Sequence, residues 1–191
     1  MRLSALVVTA LLCAAHANSY VPPRPMVIGT EFGSEYALKF MPQQVNRATA
    51  RAKESWGELV RLQPDGTFKT VWKRKLVNTP GRILVSPRGQ VVTIDNWAGY
   101  GSPQHAVVIY NLTGKVVADL SYAQVVPNPK SCPRCNSMDG LFLMNAYTPR
   151  LFLGGNGDEW WLLLRDEKRQ GPTIDLKTGQ PKTKWKGETR P

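Results

Sequence analysis

The chain has 191 residues, which suits one domain with a sizeable core, and its 25 Lys and Arg against 14 Asp and Glu give a formal charge of +11. A balance this basic attracts polyanions such as acidic envelope polymers, anionic lipid or nucleic acid, and it equally keeps a protein soluble among acidic surfaces. No run after Ala14 is long and apolar enough to span a bilayer, which excludes a helical membrane protein.

Arg2, the apolar run Leu3 to Ala14 and the small-residue site Ala15-His16-Ala17 read as a secretory signal peptide over residues 1–17. The apolar run falls short of the ~20 residues that a span needs. Leu12 ahead of Cys13 argues against a lipoprotein signal. The expectation is an exported chain, periplasmic or extracellular, with a single β-repeat domain over residues 18–191. Loss of Arg2 with the leader leaves that domain strongly basic.

Pro22, Pro23 and Pro25 mark an extended lead-in. Met26 to Phe40, MVIGTEFGSEYALKF, reads as a hairpin turning near Gly33. Pro42 to Ser55 carries Arg47, Arg51 and Lys53 with a thin apolar stripe, the pattern of an exposed basic loop or one marginal helix. Trp56 to Leu76 is a second hairpin around Pro64-Asp65-Gly66, where Pro presets φ and Gly accepts a positive φ. Alternation puts Phe68, Thr70 and Trp72 on one face of its return strand and Lys69, Val71 and Lys73 on the other. Asn78 to Gly81 leads into RILVSPRGQVVTIDNW and then HAVVIYNLTGKVVADLSY, two hairpins turning at Gly89 and Gly114. Ala123 to Ser137 is a polar, proline-rich loop holding Cys132 and Cys135, and Leu141 to Asn145 reads as a short strand. Arg150 to Arg165 turns between Gly154 and Asp158, and Gly171 to Trp185 turns at Lys177-Thr178-Gly179.

These hairpins repeat. First hairpins turn at Gly33, Gly89 and Gly157, and second hairpins at Gly66, Gly114 and Gly179. The second set looks alike: LVRLQPDGTF, VVIYNLTGKV and PTIDLKTGQP. One four-stranded sheet cannot bury both its faces, whereas stacked sheets can, so the pattern implies an all-β fold of antiparallel hairpin repeats. The run VSPRGQVVTIDNW…HAVVIYNLTGKVV, with the later TIDLKTGQ, resembles uncharacterised secreted bacterial proteins built of β-propeller-like blade repeats. The likeness covers most of Pro64 to Gly179. It implies about three propeller-like blades and a role in binding, and it identifies no reaction. Three blades are fewer than the roughly four to eight of a closed propeller, so the array is open, carries a degenerate blade near Leu141, or closes by dimerisation. The alternative fold is a β-sandwich whose turns recur through local chemistry alone.

His105 is the one histidine beyond the leader, and it stands across a loop from Asp95-Asn96-Trp97. A carboxylate-oriented imidazole would make a general base; the plainer reading is a capping Asp and an exposed His. No Gly-x-Ser-x-Gly elbow accompanies them. Cys132, Cys135 and His105 lack a fourth ligand, so neither a metal nor another cofactor is expected. Cys132-Pro133-Arg134-Cys135 lies in a proline-rich loop and not at a helix N-terminus in a βαβ unit, which favours a structural disulfide over a redox pair. So short a loop stabilises by only ~2 kcal/mol. The adjacent pairs Asp158-Glu159 and Trp160-Trp161 each point to opposite faces of a strand.

Basic residues gather at Lys69, Lys73, Arg74 and Lys75 and alternate at Lys182, Lys184 and Lys186. They read either as a polyanion-binding surface or as guards of sheet edges. The functional expectation is an exported, non-enzymatic binding or scaffold protein of propeller-like β-repeats, facing an anionic envelope polymer or a protein partner. Two other expectations are a hydrolase-like enzyme using Asp95 and His105, and a structural subunit that completes its sheet array by self-association as a homo-oligomer.

Overall fold

The computed structural model describes residues 23–42, 44–46, 51–97, 103–137, 140–154 and 159–182. Residues 1–17, read above as a signal peptide, and Arg47, Gly157, Asp158, Lys184, Trp185 and Lys186 lie outside these residues. The protein is all-β, with three four-stranded antiparallel sheets, each a meander, and none closes into a barrel.

The first sheet begins with β1 (Met26–Gly29) and β2 (Tyr36–Met41). A small hairpin of β3 (Gln44–Asn46) and β4 (Arg51–Lys53) follows, where the sequence suggested a basic loop or a helix. Two three-residue strands gain ladder hydrogen bonds that so weakly amphipathic a helix could not replace. β5 (Trp56–Leu62) and β6 (Phe68–Lys75) complete the sheet in the order β1-β2-β5-β6. The second sheet is β7 (Arg82–Val85), β8 (Val91–Ile94), β9 (Val107–Tyr110) and β10 (Val116–Leu120), paired in chain order.

The expected loop after Tyr122 is partly ordered into helices. α1 (Tyr122–Val125) is opened by a capping box in which Ser121 and Gln124 satisfy each other's backbone N–H groups. Short 3-10 turns follow at Pro129–Ser131 and Pro133–Cys135. A two-stranded ribbon, β11 (Asn136–Ser137) and β12 (Gly140–Leu141), comes next. The expected strand at Leu141 to Asn145 is mostly a 3-10 turn, Leu143–Asn145. The third sheet is β13 (Thr148–Leu153), β14 (Trp160–Arg165), β15 (Thr173–Asp175) and β16 (Pro181–Lys182), again in chain order.

The three sheets stack as layers because the middle one has two apolar faces. Val85, Val91, Val108 and Tyr110 pack with Leu38, Phe40, Leu59 and Trp72 of the first sheet. Their strand neighbours Leu84, Val92, Val107 and Ile109 pack with Leu151, Leu162, Leu164 and Ile174 of the third. VVTI and VVIY are unbroken apolar runs, as strands buried on both faces must be. α1 and the two cysteines fill the wedge between the second and third sheets.

Four connections use one turn. Gln63 to Thr67, Ser86 to Gln90, Asn111 to Lys115 and Asp166 to Gln170 each close with the first N–H donating to the last carbonyl. The fourth N–H returns to the first carbonyl. That fourth residue is Gly66, Gly89 and Gly114 in the first three and Arg169 in the last, all at positive φ. The Asp166 turn was hidden in the sequence because an arginine holds the glycine position.

One sequence expectation fails on β6. Leu59 pairs with Trp72 but Val60 pairs with Thr70, so Val71 is the extra residue of a bulge. Thr70 and Trp72 therefore lie on opposite faces, and Thr70 Oγ1 donates to Glu58 at 2.7 Å on the outward side. Lys69, opposite Arg61, falls on the face of Trp72.

Candidate functional site

The linker into the second sheet builds the floor of the site. Asn78 is buried; its Nδ2 donates to the carbonyls of Asp95 and His105 at 2.8 and 3.2 Å. Thr93 Oγ1 donates back to Asn78 Oδ1 at 2.8 Å. Ser55 and Thr79 hydroxyls share a 2.6 Å bond beside them. The ends of β8 and β9 are thus fixed from below, and Asp95 and His105 are both held at positive φ.

That backbone brings Asp95 and His105 together at the ends of neighbouring strands, but their side chains serve other partners. The Asp95 carboxylate is almost fully buried and accepts the N–H groups of Leu143 at 2.8 Å and Met144 at 3.0 Å. It pins the 3-10 turn of the third layer to the end of β8. Burial pushes its carboxyl up to about 6, against the opposing pull of the two N–H donors. The His105 imidazole faces Asp119 on β10, with Nδ1 at 2.9 Å from both carboxylate oxygens. The expected Asp95–His105 dyad is corrected: Asp119, one strand further on, takes the imidazole. Sequence spacing could not foresee this, because both the Leu143 and Asp119 contacts depend on how strands and layers meet.

Above Asp95 a cleft of about 620 Å³ opens beside the contact between β1 and β7. Met26, Ile28 and Phe40 of the first sheet form one wall, and Ile83 and Val85 of β7 form another. Phe142, Met144 and Trp97 close the end near Asp95. Polar side chains are few: Thr30, Glu31, Arg82 and, at the floor, Asp95. Thr30 Oγ1 is buried without a hydrogen-bond partner among the described residues. Sequence reasoning missed this site, because it is made of apolar inner-strand residues that carry no motif.

Of the basic residues expected to bind, the described ones are not gathered on one face. Arg74 is half-buried: Nη1 donates to the Gly114 carbonyl and the guanidinium lies 5.9 Å from the Tyr110 ring centroid. It is a brace between the first two sheets and is withdrawn from the candidate binding set. Lys75 pairs with Glu54, while Lys69 and Lys73 are exposed on β6. Lys182 lies on β16 with Nζ 4.0 Å from the Trp161 ring centroid. β6 and β16 are edge strands of different sheets with the second sheet packed between them. Trp160 and Trp161 do take opposite faces, the first in the core and the second under Lys182.

Cys132 and Cys135 stand at disulfide distance, with sulfurs 1.93 Å apart, and both are buried in the core between the second and third sheets. Among the described residues, no three of His, Cys, Asp and Glu gather closely enough to hold a metal ion. Among the same residues no helix is long and apolar enough to cross a membrane. The chain matches no protein-family model, no curated protein and no solved structure.

Proposed function

We propose that this is an exported, non-enzymatic binding protein whose three sheets are propeller-like blades around the cleft between β1 and β7. The observation that carries the reading is the cleft itself: its volume lies within the ~300–1,000 Å³ of ligand sites, and its lining is apolar with a few polar groups. The ligand is a compact, mainly apolar molecule with one hydrogen-bonding group placed against Thr30. Propeller-like packing is supported by the contact of the inner strands β1 and β7 and by Phe32 of the β1–β2 turn, whose ring lies 5.4 Å from Trp160 of the third sheet. The paired, buried cysteines are compatible with an oxidising compartment. The exposed edge lysines Lys69, Lys73 and Lys182 draw the protein to acidic envelope polymers.

Titration with an apolar fluorescent probe such as N-phenyl-1-naphthylamine tests the cleft. Saturable binding is expected, and Ile28→Trp, which fills the cleft from one wall, abolishes it with little change in melting temperature. Binding that survives Ile28→Trp sinks the cleft as the site. The polymer attraction is tested separately: affinity for an acidic polysaccharide falls steeply with salt, and Lys69→Gln with Lys73→Gln flattens the slope.

A further inference from the structure

Two turns of the molecule dock in the same way. Gly114 at the tip of β9–β10 sits against Trp72 of β6, where an added Cβ would lie 2.9 Å from the indole. Gly179 at the tip of β15–β16 sits against Ala118 of β10, where a Cβ would lie 2.2 Å from that of Ala118. Trp72 and Ala118 hold equivalent places: each is the first residue past the bulge of its sheet's outer edge strand, after Val71 and Val117. The second and third sheets each lay the tip of their second hairpin on the edge strand of the sheet before, and only a glycine permits so close an approach.

The first sheet has the same tip, and among the described residues no sheet precedes it. Among the described residues, nothing lies within 4 Å of a Cβ built at Gly66. Beside that turn Leu62 and Phe68, cross-strand partners, stand 41% and 57% exposed. Their counterparts beside Gly114, Tyr110 and Val116, pack into the core between the first and second sheets. Val27, Met41 and Trp56 are exposed on the outward face of the same sheet. At the other end of the array the third sheet has an outward face, and among the described residues no sheet follows it. Lys182 over Trp161 marks its edge strand, and Phe152, opposite Trp161, is exposed there. Asp65 in the Gly66 turn and Lys182 on that edge carry opposite charges.

We propose that the Gly66 tip of one copy docks on the Lys182–Trp161 edge of a second copy, and reciprocally, so that two chains form a closed ring of six sheets. A head-to-tail contact that closes after one two-fold step makes two identical junctions and leaves no end exposed. Six sheets fall within the roughly four to eight of closed propellers. The inference goes beyond the ligand reading and holds whether or not the cleft is occupied.

Sedimentation velocity on the purified protein tests it. The wild-type protein sediments as a dimer. Phe68→Lys and Lys182→Glu each sediment as monomers with an unchanged circular-dichroism spectrum, since both sites are exposed in the single chain, and both lose the concentration dependence of the wild-type melting temperature. An equal mixture of the two variants recovers a heterodimer, because one junction joins an intact tip to an intact edge and the other joins the introduced lysine to the introduced glutamate. A wild-type protein that stays monomeric as its concentration is raised overturns the proposal. So does a dimer that survives Phe68→Lys, or a mixture that forms no heterodimer.

Discussion

The first and second sheets share a strand order and the same glycine turn, yet one is buried on both faces and the other on one. In the second sheet Val91 to Ile94 and Val107 to Tyr110 are all fully buried. In the first sheet Leu38, Phe40, Leu59 and Trp72 are buried on the inner face, while Lys39, Glu58 and Lys73 line up across the outward face, with Lys39 and Glu58 paired. The difference teaches that identical topology does not fix the energetic role of a sheet; its neighbours do. The middle sheet is the keel against which the other two are laid, and the first sheet keeps a mixed outward face, with Lys39, Glu58 and Lys73 beside exposed Val27, Met41 and Trp56, because no described sheet packs on it.

The largest test of that contrast cuts the two sheets in turn. Ile109→Ala on the middle sheet removes a side chain with no exposed surface and is expected to cost roughly 2–5 kcal/mol in urea unfolding. Val27→Ala on the outward face of the first sheet is expected to change stability by less than ~0.5 kcal/mol. Comparable losses at the two sites would refute the keel.

Next in size is the tie between the middle sheet and the third layer. Asp95→Ala leaves the N–H groups of Leu143 and Met144 without their acceptor, at a cost of roughly 1–3 kcal/mol. The carboxyl adds a pH dependence of definite sign. Its value in the folded protein, about 6, lies above the 3.8 of the free group. Between these values the native state holds a proton that the unfolded chain has released, so stability falls as pH rises through the window. At about 1.4 kcal/mol per tenfold change in proton affinity, the fall amounts to a few kcal/mol at most. Asp95→Asn should remove the slope. A wild-type profile that rises between pH 4 and 6, relative to that variant, would contradict the assignment.

A smaller effect separates the docked tip from the free one. Gly66→Ala and Gly114→Ala share the strain of a left-handed residue, with φ of +81° and +78°. Within one chain only Gly114→Ala also drives a methyl into Trp72, so the two are compared in the monomeric Lys182→Glu background. The difference between the two variants isolates the docking term, expected at roughly 1–2 kcal/mol by the cost of overpacking. Equal losses would mean that the tip is merely near the indole and does not seal against it.

The elements with local causes were legible in the sequence, and those with distant causes were not. The hairpins at Gly66, Gly89, Gly114 and Gly179 follow from turn chemistry within five residues, and the middle strands follow from unbroken apolar runs. The bulge at Val71 was invisible because it depends on register with β5, and it reversed the facing of Thr70 relative to Trp72. Arg74 looked like surface charge until the neighbouring turn at Gly114 supplied its carbonyl. The cleft has no sequence signature, since its walls come from β1, β7 and the Phe142 segment, brought together only by the stacking of sheets.

The smallest expected effect concerns the histidine that the sequence offered as a base. His105 and Asp119 form a partly exposed pair at the edge of the middle sheet, each side chain about one third accessible. Such pairs contribute about 0–1 kcal/mol, because water competes for both partners and the side chains lose freedom in meeting. His105→Ala also gives up an imidazole whose backbone is held at positive φ by the Asn78 bond to its carbonyl, and alanine is no easier to hold there. The variant should therefore lose at most ~1 kcal/mol from the pair, plus a similar strain penalty, and bind the apolar probe as the wild type does. His105→Asn tolerates the left-handed conformation better and should recover most of the strain. Probe binding lost in His105→Asn while the fold stays intact would move the functional centre from the β1–β7 cleft to the His105–Asp119 pair at the edge of the middle sheet, and revive the enzymatic reading of that edge.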